Sequence, residues 1–162
     1  MKKAGVIGKL ASFEDALSVL IVCVISFAVF VQVLSRFVLK APLSWTEELS
    51  RFALIWLTFI AASVALREGG HFVVDLVSRR LPPGPRKYYH KLILLVELVF
   101  VTVLFYTGYQ IVPVAHMQES AALDIHMSYV YLAIPCGAAL MMINTLIKLF
   151  GKSGAEDHGE PS

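Results

Sequence analysis

Apolar residues fall into four long runs, at residues 16–38, 49–66, 92–112 and 129–150, and polar residues gather between them. A bilayer core asks for about 20 consecutive apolar residues per spanning helix. The pattern therefore predicts an all-α membrane protein with four transmembrane helices. Little remains outside the runs for a soluble domain. The expected organisation is a single four-span membrane domain over residues 1–150. The segment that follows, GKSGAEDHGEPS, is polar and rich in Gly and Ser, and predicts a disordered tail over 151–162.

The first run follows Lys2, Lys3 and Lys9, as the apolar core of a signal peptide would. Such a core is only about 7–15 residues long and ends at a small-residue cleavage site. This run is longer, closes at Arg36 and shows no A-x-A, so it reads as a retained helix. Composition agrees with a membrane protein: 57% of the 162 residues are hydrophobic, 16% are charged, and mean hydropathy is +0.72.

Charge adds an orientation. Arg67, Arg79, Arg80, Arg86, Lys87 and Lys91 lie between the second and third runs, whereas residues 112–128 hold neither Lys nor Arg. The positive-inside rule places the basic loop, and with it both termini, in the cytoplasm. Arg36 and Lys40, in the first outward loop, run against the rule. Within the basic loop, Gly69-Gly70 suits a left-handed cap ending the second helix. HFVVDLVSRRL then sets Phe72, Val73, Leu76 and Val77 on one helical face, with Asp75 and Arg79 spaced i, i+4. That predicts a short amphipathic interfacial helix, stopped by Pro82-Pro83-Gly84-Pro85.

A net charge of +2 without a basic, aromatic-interleaved stripe does not suggest a nucleic-acid partner, and none is expected. Cys23 and Cys136 lie inside spans with no C-x-x-C, which reads as apolar packing. No G-x-x-x-x-G-K-[ST] is present for nucleotide hydrolysis. Four histidines, His71, His90, His116 and His126, fall at helix ends or in loops, the wrong depth for haem ligation. His116, Glu119, Asp124 and His126 have metal-ligand chemistry but unremarkable spacing, and read as a solvated loop. No cofactor or metal is expected.

The second span opens with PLSWTEELSR. Pro42 breaks what precedes it. Ser44 and Glu47 have the spacing of a capping box. Arg51 is four residues after Glu47 and three after Glu48, so either acid is a possible partner. The box leaves Glu48 without a duty, and the expectation is that Glu48 and Arg51 work together, either pairing in the bundle or meeting a partner subunit. Trp45 suits the headgroup layer. Farther along the chain, Glu97 is an ionisable residue well inside a span, which by default marks a functional position. Two readings stand: a proton relay, as in a small autonomous four-helix exporter, or a carboxylate paired across a helix contact. Gln32 is a weaker case of the same kind. Ala61 and Ala65, and Ala133 and Gly137, show small-xxx-small spacing for close helix contact, within the chain or with a partner. Pro135 predicts a kink in the last helix.

RFVLKAPLSWTEELSRFALIWLTFIAASVALREGGHFVVD resembles the signature of the small, DctQ-like membrane subunit of tripartite ATP-independent periplasmic (TRAP) transporters. The matching residues are Arg36, Phe37, Pro42, Leu43, Trp45, Glu47, Glu48, Arg51, Trp56, Arg67, Gly69, His71 and Asp75. SYVYLAIPCGAALM is similar to the opening of that family's last helix, with Tyr131 and Pro135 in place. Lys40 departs from the pattern, where a small polar residue such as Asn is more usual. The resemblance implies a non-enzymatic subunit of the bacterial inner membrane. It implies two protein partners: a large membrane subunit, and a periplasmic substrate-binding protein that delivers an organic acid such as a C4-dicarboxylate. Uptake would be driven by sodium, with this subunit as the scaffold of the large subunit's non-moving part.

Overall fold

The computed structural model describes residues 2–41, 43–68 and 83–150. The expected interfacial helix, with His71 and Asp75, lies outside the described residues, as do Pro42 and the tail 151–162. Among the described residues five helices follow in order: α1 Lys2–Phe37, α2 Ser44–Arg67, α3 Pro83–Ala115, α4 Ser128–Tyr131 and α5 Ala133–Phe150. Four segments are long and apolar enough to cross a bilayer: Gly8–Phe37, Ser44–Arg67, Lys91–Ala115 and Ser128–Leu149. The four-span, all-α expectation holds, although the helices run past the apolar runs. The first span alone has 30 residues, about 45 Å of helix, against a hydrocarbon core of about 30 Å. It therefore tilts or projects beyond the core.

The helices form a row and not a closed bundle. Among the described residues the backbone of α1 approaches only α2; α2 packs on α5, and α5 on α3. Short α4 sits where α2, α3 and α5 meet. The outer members of the row show why one face suffices. Along α1 the shielded positions include Glu14, Ser18, Ile21, Ile25, Ala28, Gln32 and Ser35, a four-three alternation with a seven-residue period. That period keeps a single seam against a partner helix. Glu14, Ser18, Gln32 and Ser35 make the seam largely polar, while Phe13, Val19, Leu20, Phe27 and Phe30 point outward. A helix of a soluble protein has the reverse polarity. In lipid, tails are as apolar as Leu, so polar and small groups are what helices bury against one another. On α3 the same seven-residue seam runs through Leu94, Val101, Gly108 and Ala115.

An apolar centre forms between α2, α3 and α5. Val101, Ala138 and Met141 are buried there, with Phe59, Ala62, Leu66, Leu104, Phe105 and Met142 packed around them. Two glycines set the spacing. A Cβ on Gly137 would stand 2.5 Å from Phe59 Cβ and 3.2 Å from the Phe59 backbone carbon and oxygen. One on Gly108 would stand 2.7 Å from Ile134 Cγ2 and 3.1 Å from Pro135 Cδ. Of the small-residue pairs read from the sequence, Ala133 and Gly137 are buried, whereas Ala61 and Ala65 are exposed. Cys23 and Cys136 are exposed too, correcting the expectation that they pack inside.

Helical hydrogen bonding in the fourth span breaks between α4 and α5, at Leu132. Pro135 has no N–H to offer the Tyr131 carbonyl, which is the bond missing at that point. The ladder resumes with the Cys136 N–H donating to the Leu132 carbonyl at 3.1 Å. The segment 116–127 is an ordered hairpin. Glu119 and His126 form an antiparallel bridge. The Ser120 N–H donates to the Ile125 carbonyl at 2.9 Å, and the Met127 N–H to the Gln118 carbonyl at 2.8 Å. Asp124 makes the turn at φ 50°, a left-handed conformation that Asp tolerates.

Gly137→Val should drive α2 and α5 apart, because the obstacle is the Phe59 main chain and not a mobile side-chain tip. Overpacking of this kind costs about 1–3 kcal/mol. Thermal unfolding of the purified chain in detergent should show a clear drop. Gly8→Val, at a position with nothing within 4 Å, should show far less.

Candidate functional site

The conspicuous residues collect at two ends of the row. One end carries the hairpin and the α1–α2 turn. Here α2 does not start with a capping box. Leu43 is the N-cap, extended at φ −94° and ψ 103°, and no side chain caps the helix. Ser44 is already inside it. Thr46 instead donates its hydroxyl back to the Leu43 carbonyl at 2.7 Å. Glu47 pairs with Arg51 at 2.8 Å, both well exposed. Glu48 is therefore not Arg51's partner, and the expectation that the two pair within the bundle is overturned. Glu48 reaches across the row and accepts from the Ser120 hydroxyl, from the Ala122 N–H at 3.1 Å and from the Leu123 N–H at 3.2 Å. One carboxylate thus satisfies the tip of the hairpin, whose N–H groups have no strand partner. Trp56 Nε1 donates to the Tyr129 carbonyl at 3.2 Å, tying α2 to α4. His116 and His126 stack with ring centroids 4.3 Å apart. His116 Nδ1 lies 3.1 Å from the Ser128 hydroxyl. Among the described residues, no three His, Cys, Asp or Glu gather as a metal site.

The opposite end holds the one fully buried acid among the described residues, Glu14, with 0% exposure. Its carboxylate accepts from the Ser63 hydroxyl at 2.9 Å, from Arg67 Nη1 at 3.0 Å and from Asn144 Nδ2 at 3.1 Å. Asn144 also reaches the Ser63 hydroxyl at 3.0 Å. The other arm of Arg67 grips Asp15, with Glu68 at 3.6 Å beyond it. The cluster joins α1, α2 and α5. Beside it, Lys148 donates to the Leu66 carbonyl, which lies near the unfinished C-terminus of α2. Glu97 on α3 accepts from the Thr145 hydroxyl of α5 at 2.5 Å. The paired reading of Glu97 thus has its partner inside this chain.

The sequence model described as tripartite ATP-independent periplasmic transporters, DctQ component, matches residues 25–153. The chain belongs to that family. It is 24% identical over 144 residues to the sialic acid TRAP transporter small permease protein SiaQ of Vibrio cholerae, covering 86% of this chain and 80% of the relative. It is 30% identical over 126 residues to the C4-dicarboxylate TRAP transporter small permease protein DctQ of Rhodobacter capsulatus, covering 72% and 55%. It is 29% identical over 111 residues to the sialic acid TRAP transporter permease protein SiaT of Haemophilus influenzae, 68% of this chain. That match spans only 18% of the relative's length.

Against this family background, the motif residues sort by what they touch. Glu48, Trp56, Arg67, Glu97 and Pro135 are engaged inside the chain. Arg36, Trp45, Glu47 and Arg51 are on its surface. Sequence reasoning missed Glu14, which stood at the edge of its apolar run, and its partners Ser63 and Asn144. Two signals were present. Ser63 precedes Arg67 by one helical turn, on the same face. Asn144 is a polar side chain deep inside the fourth run, where polar groups need partners.

Arg67→Ala leaves Glu14 buried without its cation. Removing one partner of a buried pair costs about 3–5 kcal/mol, and Arg67, at 17% exposure, belongs at the low end. Detergent unfolding should show this loss, and the double variant Glu14→Gln/Arg67→Ala should recover part of it, as coupled neighbours do. At the other end, Glu48→Ala should raise amide exchange across residues 116–127 and expose that hairpin to protease. Glu47→Ala should leave it protected, since a surface i, i+4 pair contributes about 0.3–0.5 kcal/mol.

Proposed function

We propose that this chain is the small membrane subunit of a TRAP transporter. In this reading it is a non-catalytic scaffold beside the large membrane subunit in the bacterial inner membrane. The transporter takes up an organic acid, delivered by a periplasmic binding protein and driven by a sodium gradient. The observation that carries the scaffold reading is the open row. Polar groups are spent inward on holding four helices together, and wide apolar faces on α1 and α3 remain for lipid and a membrane partner. Among the described residues the carboxylates at membrane depth, Glu14 and Glu97, are tied to side chains of this chain. Substrate choice is assigned to the other subunits: small permeases of the family carry different substrate names, sialic acid for one and C4-dicarboxylate for another. The motif residues on the surface, Arg36, Trp45, Glu47 and Arg51, are the ones free to face a partner or the headgroup layer.

The proposed orientation places residues 1–150 as a single membrane domain with both termini in the cytoplasm and the 116–127 hairpin outside. Single cysteines in a background lacking Cys23 and Cys136 test it. Met117→Cys, at a position 89% exposed, should react with an impermeant maleimide in intact cells; Gly8→Cys should react only after lysis. The reverse pattern overturns the orientation. Mild-detergent purification from native membranes should bring down a large TRAP membrane subunit. Deletion of this chain should abolish sodium-dependent uptake of the organic acid. Recovery of the chain alone, with uptake intact in the deletion, overturns the scaffold role.

A further inference from the structure

Arg36 and Lys40 sit on the side of the membrane that the positive-inside rule leaves poor in cations, and no interaction described so far accounts for them. Arg36 lies in the last turn of α1, just after the seam residue Ser35, and makes no hydrogen bond or ion pair among the described residues. It lines a cavity of about 180 Å³ between α1 and the start of α2, together with Gln32, Leu43, Ser44 and Glu47. At about 30 Å³ per water, that is room for roughly six waters or one small polar group.

The walls define what fits. Arg36 offers a guanidinium fork suited to phosphate oxygens. Ser44 begins α2, whose first backbone N–H groups have no helical acceptor and whose dipole favours negative charge. Glu47 lends Arg51 only Oε1, at 2.8 Å, and its second oxygen is left to accept from a cation. Trp45, next in the chain, is a residue type of the headgroup layer. An anion beside an ammonium, at headgroup depth, is the chemistry of phosphoethanolamine.

We infer that the cavity lined by Gln32, Arg36, Ser44 and Glu47 is a binding site for the headgroup of phosphatidylethanolamine. Arg36 and the α2 N-terminus hold the phosphate, and Glu47 accepts a hydrogen bond from the primary ammonium. The acyl chains lie along the exposed apolar surface of α1, beside Val33 and Phe37. The site balances a cation that the topology otherwise leaves uncompensated. It rests on the membrane reading of the four helices and not on the transporter role.

The test is lipid binding to the purified full-length chain, by native mass spectrometry and thermal shift. Phosphatidylethanolamine, phosphatidylcholine and phosphatidylglycerol are compared at equal concentration. Phosphatidylethanolamine should bind several-fold more tightly than phosphatidylcholine, whose quaternary ammonium has no proton to donate. Arg36→Ala should weaken it about tenfold, the scale of one lost charge-assisted contact, and Arg36→Lys should recover part of that. Glu47→Ala, which removes the acceptor, should erase the preference over phosphatidylcholine while phosphate-dependent binding remains. Lys40→Ala, outside the cavity, should bind as the parent does. Equal losses in Lys40→Ala and Arg36→Ala would reduce the effect to general attraction and overturn the site. So would preference for phosphatidylglycerol, or the same protection by inorganic phosphate or free phosphoethanolamine without lipid.

Discussion

The joining of α1, α2 and α5 at one end of the row depends on a single carboxylate that has no access to solvent. Charge taken out of water is costly unless it is paired and hydrogen-bonded. Glu14 meets that cost by drawing in a hydroxyl from Ser63, a guanidinium from Arg67 and an amide from Asn144. The consequence is geometric. Among the described residues the backbone of α1 approaches no helix but α2. Through Asn144, Glu14 ties α1 to α5 as well, across the width of α2. Three helices are thereby fixed in depth relative to one another, because sliding any of them by one turn would strand a buried charge. Apolar seams alone would tolerate such a slide, since every turn of a lipid-facing helix resembles the next.

Polarity in this protein is inverted relative to a soluble one, and this governs what a reader of the sequence can see. Four spans were legible because hydropathy reports length, and length is what a bilayer demands. Neighbour relations were not legible, because each span is apolar around most of its circumference and the pattern does not say which stripe faces protein. The information was present in the polar residues instead. Glu14, Ser18, Gln32 and Ser35 mark the α1 seam at a coiled-coil period. A search for polar and small residues at four-three spacing would have identified the buried face that a search for apolar residues could not. Gly137 was legible as a contact residue for that reason. Gly108 was not, because it has no small neighbour at i±4 to complete the motif.

The start of α2 fails in a different way. Ser44 and Glu47 have the spacing of a capping box, and spacing is all that local sequence offers. The structure puts the helix boundary one residue earlier, at Leu43, and lets Thr46 bond the Leu43 carbonyl. Glu47 is then free for Arg51, the i, i+4 option open from the start. What no local pattern holds is the destination of Glu48. Its acceptors' partners lie more than 70 residues away, in a hairpin whose backbone N–H groups need an anion. The second acid was the anomaly in the sequence, and its explanation is a long-range contact.

Each conspicuous charge in the spans thus resolves into a choice between inward and outward use. Glu14, Glu48, Arg67, Glu97 and Lys148 are engaged inward, on a hydroxyl, a backbone group, an amide, a carboxylate or a guanidinium of this chain. Such groups specify one arrangement of helices, since an alternative arrangement would leave them buried and unmatched. Arg36 and Arg51 at the hairpin end are outward. A cation at that depth keeps its charge in the headgroup layer by extending an aliphatic stem along the helix. A subunit built on this division has a fixed interior and an adaptable rim. A fixed interior accords with the scaffold role proposed above. Here the shielded Glu14 and its partners are already matched by one another.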